Sequence, residues 1–198
     1  MKRLLLGTGN PAKIQRIRAF LAGLPLEVVS PQDLGLALDV PEDGIGVEEN
    51  AAKKARAYYV ASGLPVLAND ASLYIASLPP EKQPGLLVRR VRGPGQDVVG
   101  ADVLDYYARE LRAAGGASPG TWHVALALVT AGGALVCETF VLHALFVPEP
   151  SPVRLPGEPL SALMRDPATG RFYAEMSDAE RPDAVPIRDF VARHLAEL

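Results

Sequence analysis

The sequence is short of cysteine, of long apolar runs and of any large excess of one charge, and each shortage excludes a class of protein. One cysteine, Cys137, excludes an internal disulfide and a cysteine-rich zinc site. No apolar run approaches the roughly 20 residues of a membrane span, and the apolar stretch at residues 4–6 is too short for a secretory signal. A net charge of −3 argues against a protein that binds nucleic acid through a strongly basic surface. We therefore expect a cytoplasmic protein with no nucleic-acid or membrane partner.

Hydrophobic residues make up 48% of the 198 residues and charged residues 22%, which is typical of a globular chain. This length predicts one domain over residues 1–198. Lysine is scarce, with five lysines among the 20 basic residues, so each lysine asks for an explanation.

The hydrophobic pattern predicts an α/β fold with a mixed sheet. Short apolar runs at 4–6, 26–29 and 65–68 predict strands, the third with a continuation at 73–75 after a break. The stretches between these strands predict helices that begin at Asn10-Pro11 and at Glu48. A helix over 97–113, a hairpin about Ala131-Gly132-Gly133 and a last helix over 187–198 complete the pattern. Helices alternate with strands early and a hairpin comes late, which indicates a mixed rather than a purely parallel sheet.

The segment Thr8-Gly9-Asn10-Pro11-Ala12-Lys13 lies between the first strand and the first helix. A helix start offers unpaired N–H groups and a positive dipole, Gly9 permits close approach, and Lys13 lies one turn inside the helix. These features are typical of a phosphate site, although an ordinary capped helix start has the same appearance.

Acidic residues at 39–49 precede and open the second helix, which carries Lys53 and Lys54. Two carboxylates and a phosphate are a usual way to hold Mg²⁺, although a solvated acidic loop gives the same pattern. Lys53 pairs with Glu49 at helical spacing, which leaves Lys54 to be explained. Asp70, at the end of the apolar run 65–68, lies where α/β proteins place catalytic groups, or else in a plain turn.

Taken together, these segments resemble the inosine triphosphate pyrophosphatase family. The family opens with Thr-Gly-Asn-x-x-Lys, has an acidic residue seven before a Glu-Asn-Ala helix start, and then an Asp-Asp-Ser-Gly-Leu strand end. The chain matches with Thr8–Lys13, with Glu42 before Glu49, and with Asn69–Leu73. The loop 84–93 and the stretch 172–176 are similar to further family segments.

The resemblance implies an elongated mixed sheet flanked by helices, with two lobes and a cleft between them, and a homodimer. It implies hydrolysis of a nucleoside triphosphate to the monophosphate and pyrophosphate with Mg²⁺. By position, Asp70, Lys13 and Lys54 would be catalytic, and Glu42 and Asp70 would bind the metal. The implied substrate contacts are Thr8, Gly9, Asn10, Lys13, Lys54, Ala71, Arg90 and Arg188.

The chain departs from the family in the segments that recognise the purine base of the nucleotide. The family's aromatic block for the purine has no counterpart, because residues 156–167 contain no aromatic side chain, and of its closing segment only Arg188 remains. Asn69 replaces the first Asp of the Asp-Asp pair. These departures predict altered base selectivity. They also leave open a decayed nucleotide-binding or regulatory protein on the same fold.

Overall fold

The computed structural model describes residues 2–88 and 101–198. The strands are β1 (Lys2–Leu6), β2 (Leu26–Val29), β3 (Val66–Ile75), β4 (Ser118–Val129), β5 (Leu135–Phe146) and β6 (Met164–Arg165). The α-helices are α1 (Pro11–Phe20), α2 (Val47–Ser62), α3 (Ala101–Ala113) and α4 (Ala184–Arg193). Short 3-10 turns fill several of the connections.

The strands form a six-stranded mixed sheet in the order β2-β1-β3-β4-β5-β6, which confirms the predicted α/β class. β1 runs parallel to both β2 and β3, with Leu6 opposite Leu67, whereas β5 and β6 are antiparallel. The neighbouring strands β4 and β5 are joined by the turn predicted as a hairpin, where the Thr130 N–H donates to the Ala134 carbonyl at 2.9 Å.

The path of the chain reverses at β1. From β1 it passes through α1 to β2 on one side, and from β2 it returns through α2 to β3 on the other side. Because such crossovers are right-handed, α1 and α2 lie on opposite faces of the sheet. The carboxyl end of β1 is therefore a topological switch point, where open α/β sheets bind ligands.

The described residues divide into two compact units. The first comprises residues 2–71, 124–140 and 182–198, and the second comprises 72–88, 101–123 and 141–181. The first unit has a core that includes Leu4, Leu5, Leu6, Ile17, Phe20, Val66, Leu67, Phe190 and Val191. The core of the second includes Ile75, Tyr107, Leu111, Phe146, Leu163 and Tyr173. All residues of the candidate site described below belong to the first unit.

Two predicted elements differ from the structure. The break predicted between the apolar run at 65–68 and its continuation at 73–75 is absent, because β3 runs from Val66 through Asp70 to Ile75. The last helix begins earlier and ends earlier than predicted: Pro186 fits in its first turn, where its missing N–H costs no bond, and a 3-10 turn at Leu195–Glu197 replaces the last residues. Residues 97–100 of the predicted third helix lie outside the described residues.

Candidate active site

The loop after β1 packs tightly against β3. The Gly7 N–H donates to the Leu67 carbonyl at 2.8 Å, which extends the β1–β3 ladder by one residue. A Cβ on Gly7 would lie 3.0 Å from the Ala68 Cβ and 3.3 Å from the Tyr58 ring, so a side chain here would require its neighbours to shift by a few tenths of an ångström. Residues 69–75 of β3 run on past the end of β1, and they carry Asp70 to the switch point.

Lys54 lies between two carboxylates at this place. Its Nζ is 2.8 Å from Glu42 Oε1 and 2.8 Å from Asp70 Oδ1. The side chains of Lys54 and Asp70 are both 11% exposed, whereas the Glu42 side chain is 43% exposed. Because a buried ammonium needs a compensating charge, Asp70 accounts for the buried lysine that the Glu49–Lys53 pair left unexplained. Nearby, burial raises the pKa of Tyr58, and the Lys54 ammonium acts in the opposite direction.

Asn50 is the second group that touches Asp70. Its Nδ2 donates to Asp70 Oδ2 at 3.1 Å, and its Oδ1 accepts from the Gly44 N–H at 2.8 Å. Asn50 is only 1% exposed. Sequence reasoning assigned it no role, although the Glu-Asn-Ala helix start placed it one turn before Lys54, on the same side of α2.

Lys53 forms a second, more exposed charge cluster with Asp43 at 3.0 Å and Glu49 at 2.9 Å. A hydrogen bond from Lys53 holds the pKa of Asp43 below its usual value. Lys53 and then the Ile45 N–H hold the pKa of Glu49 below its usual value. The hydrogen bonds to Glu49 and Asp43 in turn raise the pKa of Lys53. The i,i+4 pair predicted from the sequence is therefore present.

The segment Thr8–Lys13 forms a capped helix start. Asn10 Oδ1 accepts from the N–H groups of Ala12 at 3.0 Å and Lys13 at 3.4 Å, and Pro11 has no N–H. Thr8 Oγ1 accepts from the Asn10 N–H at 3.2 Å. The prediction that this helix start offers unpaired N–H groups is therefore wrong for its first turn, because the Asn10 side chain occupies them.

Gly9 is exposed, and a Cβ at this position would meet nothing within 4 Å. Its φ does not fall in the left-handed region. Neither packing nor backbone conformation within the described residues therefore requires glycine here. Lys13 lies four residues after Gly9, in the first turn of α1, and is half-buried.

The two residues beside Asp70 on β3 point away from Lys54, because successive side chains of a strand alternate between faces. Ala71 is half-buried on that opposite face. Asn69 is 7% exposed, and its Oδ1 is buried with no hydrogen-bond partner in the part of the chain that the structure describes. A buried carbonyl oxygen without a donor is costly, so Asn69 is an unusual residue at this position of β3.

Arg188, one of the predicted substrate contacts, does not join the cluster around Lys54. The Arg188 guanidinium donates to the carbonyls of Phe20 at 2.8 Å and Ala22 at 2.7 Å, at the carboxyl-terminal end of α1. A helix of 10 residues is about 15 Å long, which separates Arg188 from Asn10 at the other end. Arg188 thus stabilises a helix terminus, as cations do there. Arg90 lies outside the described residues.

The donor set at the switch point fits a hard divalent cation. Glu42 and Asp70 offer carboxylate oxygens, which Mg²⁺ prefers as ligands. One oxygen of each carboxylate lies 2.8 Å from Lys54 Nζ, so the two carboxylates are close together. Within residues 2–88 and 101–198, no group of three or more His, Cys, Asp or Glu side chains has the arrangement of a metal site. A protein site with two carboxylates, completed by phosphate oxygens and water, is typical for Mg²⁺.

The fold and the cluster together define an α/β protein whose buried charges lie at the switch point of its sheet. The chain belongs to the Ham1 family, whose model matches residues 4–139. This match confirms the family resemblance drawn from the sequence.

Curated relatives agree with this placement. A dITP/XTP pyrophosphatase of Xanthomonas axonopodis pv. citri is 46% identical over 93 residues, which cover 47% of this chain and 45% of that protein. A dITP/XTP pyrophosphatase of Anaeromyxobacter dehalogenans is 49% identical over 76 residues, or 38% of this chain and 32% of that protein. The chain thus matches less than half the length of these curated relatives.

Solved structures extend the likeness over the whole chain. A HAM1 protein from Coxiella burnetii superposes with a TM-score of 0.76 at 23% identity, covering 100% of both chains, which shows the fold. A nucleoside-triphosphatase / dITP/XTP pyrophosphatase from Mycobacterium abscessus has a TM-score of 0.64 at 25% identity, covering 99% of this chain and 100% of the other. Across the described residues of this chain, no helix is both long enough and apolar enough to cross a membrane.

Proposed function

We propose that the protein hydrolyses a nucleoside triphosphate between the α- and β-phosphorus, giving a monophosphate and pyrophosphate. The observation that carries the proposal is Lys54, held at 2.8 Å from both Glu42 and Asp70 at the switch point of the sheet. The curated relatives are named dITP/XTP pyrophosphatases, which supports the same reaction and the same class of substrate.

The charges of the site suit this chemistry. Cleavage of a phosphoanhydride depends mainly on neutralising and positioning the phosphates. Lys13 and Lys54 would contact the triphosphate, with Thr8, Gly9 and Asn10 beside it. Glu42 and Asp70 would hold Mg²⁺, which supplies charge neutralisation and polarises the phosphoanhydride.

Asp70 is the group that we assign to the water. Its oxygens already accept from Lys54 and Asn50, but a carboxylate retains further lone pairs for a third donor. As the water oxygen bonds to the α-phosphorus, one water proton passes to Asp70, and the bond between the α-phosphorus and the oxygen that bridges it to the β-phosphorus breaks. Pyrophosphate leaves with the electron pair of that bond.

We expect the base contacts to differ from those of the resembled family. Residues 156–167 include a short 3-10 turn at Pro159–Ala162 and all of β6, and they carry no aromatic side chain. A pocket that lacks polar and stacking contacts discriminates weakly between bases. We therefore expect inosine or xanthosine triphosphate to be preferred over adenosine or guanosine triphosphate by less than about 10²-fold in kcat/KM.

The second candidate is a nucleotide-binding protein without turnover. One observation favours it: residues 156–167 carry no aromatic side chain where the resembled family recognises the purine. Under either candidate, Asn10 caps α1, so the amides of Ala12 and Lys13 already have an acceptor. A nucleotide would have to displace this cap or bind beside it.

A panel assay separates the two candidates. Purified protein with Mg²⁺ is offered inosine, xanthosine, adenosine and guanosine triphosphates, and pyrophosphate is measured, with Asp70→Asn as the matched control. Turnover that is lost in the control supports the pyrophosphatase. Mg²⁺-dependent binding without turnover, weakened in Lys13→Ala, supports the second candidate. A preference of a thousandfold or more for one purine would contradict the weak selectivity proposed here.

The assembly and the location are also proposals. We expect a homodimer in the cytoplasm, on the strength of the family resemblance and the sequence composition. Light scattering on the purified chain tests the first, and a monomer at micromolar concentration would contradict it.

A further inference from the structure

A segment before α2 is tied to that helix residue by residue. We call residues 42–45 the strap. Along the strap, Glu42 pairs with Lys54, Asp43 with Lys53, the Gly44 N–H with Asn50 Oδ1, and the Ile45 N–H with Glu49 Oε2. The strap therefore runs along the first turns of α2 in the opposite direction. Glu42 is placed in the site by these contacts.

Two of the four helix residues also reach β3. Lys54 contacts Asp70 Oδ1 and Asn50 contacts Asp70 Oδ2, whereas Lys53 and Glu49 contact the strap and each other. Lys54 makes its two contacts through a flexible stem and a charge. Asn50 makes its contacts through a short, buried amide, and it is the more rigid of the two links.

The orientation of the Asn50 amide follows from its neighbours. Oδ1 faces a backbone N–H, and Nδ2 faces a carboxylate, at 2.8 and 3.1 Å. The reversed amide would set two donors against each other at Gly44 and two acceptors against each other at Asp70. The side chain therefore has one satisfied arrangement, which fixes the strap relative to Asp70.

Gly44 is matched to this arrangement. A Cβ at residue 44 would lie 2.5 Å from Asn50 Oδ1 and 3.0 Å from the Glu49 Cβ. Glycine at this position lets the strap backbone approach the amide closely enough to donate. A larger residue at position 44 would therefore lengthen the hydrogen bond between the backbone N–H of residue 44 and Asn50 Oδ1.

We propose that Asn50 is a positioning residue, which sets the separation of Glu42 and Asp70 so that both carboxylates reach one divalent cation. It acts through the strap and β3 and has no direct contact with the substrate. The inference rests on the proposed function, because that function assigns the two carboxylates to a metal. Its experiment measures metal binding and backbone exchange, which need no turnover.

Asn50→Ala removes the amide, and Gly44→Ala displaces it. Glu49→Ala is the matched control, because it removes the strap's bond at Ile45 and leaves Asp70 untouched. Mn²⁺ binding is followed by electron paramagnetic resonance, and hydrogen exchange is followed over residues 42–45. We expect Asn50→Ala and Gly44→Ala each to weaken Mn²⁺ binding at least tenfold, and Glu49→Ala to change it less than about twofold. Exchange at the strap rises in all three variants.

Equal loss of Mn²⁺ affinity in Glu49→Ala would mean that any loosening of the strap suffices, and it would overturn the specific role of Asn50. Wild-type affinity in both Asn50→Ala and Gly44→Ala, or no Mn²⁺ binding by the wild type, would overturn it as well. Gly44→Ala alters an exposed segment, so it remains informative if Asn50→Ala fails to fold. The pyrophosphate assay is separate: expected Mn²⁺ affinities without turnover contradict the proposed function and leave the positioning role intact.

Discussion

At the scale of the residue, the site depends on how one buried lysine is compensated. The Lys54 ammonium has a buried partner in Asp70 and an exposed one in Glu42. A buried charge that loses its partner is destabilising, so these groups are coupled in stability as well as in chemistry. A substitution at Asp70 is therefore expected to change both the free energy of unfolding and the catalytic rate.

Asp70→Asn is expected to lower kcat by at least about 10²-fold, the scale of a lost general base or electrostatic contact. It also leaves Lys54 with Glu42 alone, so we expect a loss of stability below the roughly 3–5 kcal/mol of a fully orphaned buried charge. Asp43→Asn is the matched control, since it makes the same change in the exposed cluster around Lys53. Steady-state kinetics and urea unfolding measure the two effects. Turnover near that of the wild type would remove Asp70 from the mechanism.

Gly7 and Gly9, in the segment between β1 and α1, give a second prediction. Gly9→Ala meets nothing within 4 Å and needs no left-handed φ, so its free energy of unfolding should change by less than about 0.5 kcal/mol. If a phosphate approaches this backbone, the same variant raises KM several-fold. Gly7→Ala places a Cβ 3.0 Å from that of Ala68 and should cost about 1–3 kcal/mol by overpacking. An unchanged KM in Gly9→Ala would exclude close approach of the substrate at Gly9.

At the scale of the element, the site exists because β3 is longer than β1. β1 ends at Leu6, and β3 continues from its pairing at Leu67 through Asp70 to Ile75. The carboxylate therefore projects from the middle of a strand beside an open strand end. The rigidity of the sheet then holds Asp70, and α2 supplies Asn50 and Lys54 from one side.

The sequence predicted the elements better than their relations. Asn10-Pro11 specified the start of α1 through local capping chemistry, and the family resemblance singled out Glu42, Lys54 and Asp70. The continuity of β3 was missed, because Asn69 and Asp70 are poor strand formers that pairing and burial nevertheless accommodate. Arg188 was placed at the substrate by position, but its partners are carbonyls 166 and 168 residues away in the chain. Such long-range pairings have no local signal.

The 3-10 turn at Asp178–Glu180 predicts an acid-sensitive element in the second unit. Glu180 accepts from Arg171 and from the N–H and hydroxyl of Ser177, and these bonds lower its pKa from 4.5 to about 2. Because the folded pKa is depressed, ionised Glu180 stabilises the fold above about pH 4.5, and this contribution is lost as the pH falls towards 2. Glu180→Gln should therefore flatten the fall in Tm over that range. Parallel Tm profiles for both proteins would contradict this assignment.

At the scale of the whole molecule, the similarity of the fold to known proteins covers more of the chain than the similarity of the sequence to curated relatives. The fold superposes over the entire chain on a HAM1 protein, whereas sequence identity to curated relatives covers less than half of it. The family model ends at residue 139, before the stretch 156–167 that lacks aromatic side chains. This pattern favours the proposed phosphate and metal site combined with a changed base site, for which we expect weak base selectivity.

The central claim is that this chain cleaves between the α- and β-phosphorus. Phosphorus NMR of inosine or xanthosine triphosphate incubated with Mg²⁺ and pyrophosphatase-free protein follows both products directly. We predict that pyrophosphate and the monophosphate appear in equal amounts from the first turnovers, with no diphosphate. Orthophosphate released together with a nucleoside diphosphate would contradict the proposed reaction, because the cut would then lie at the terminal phosphate.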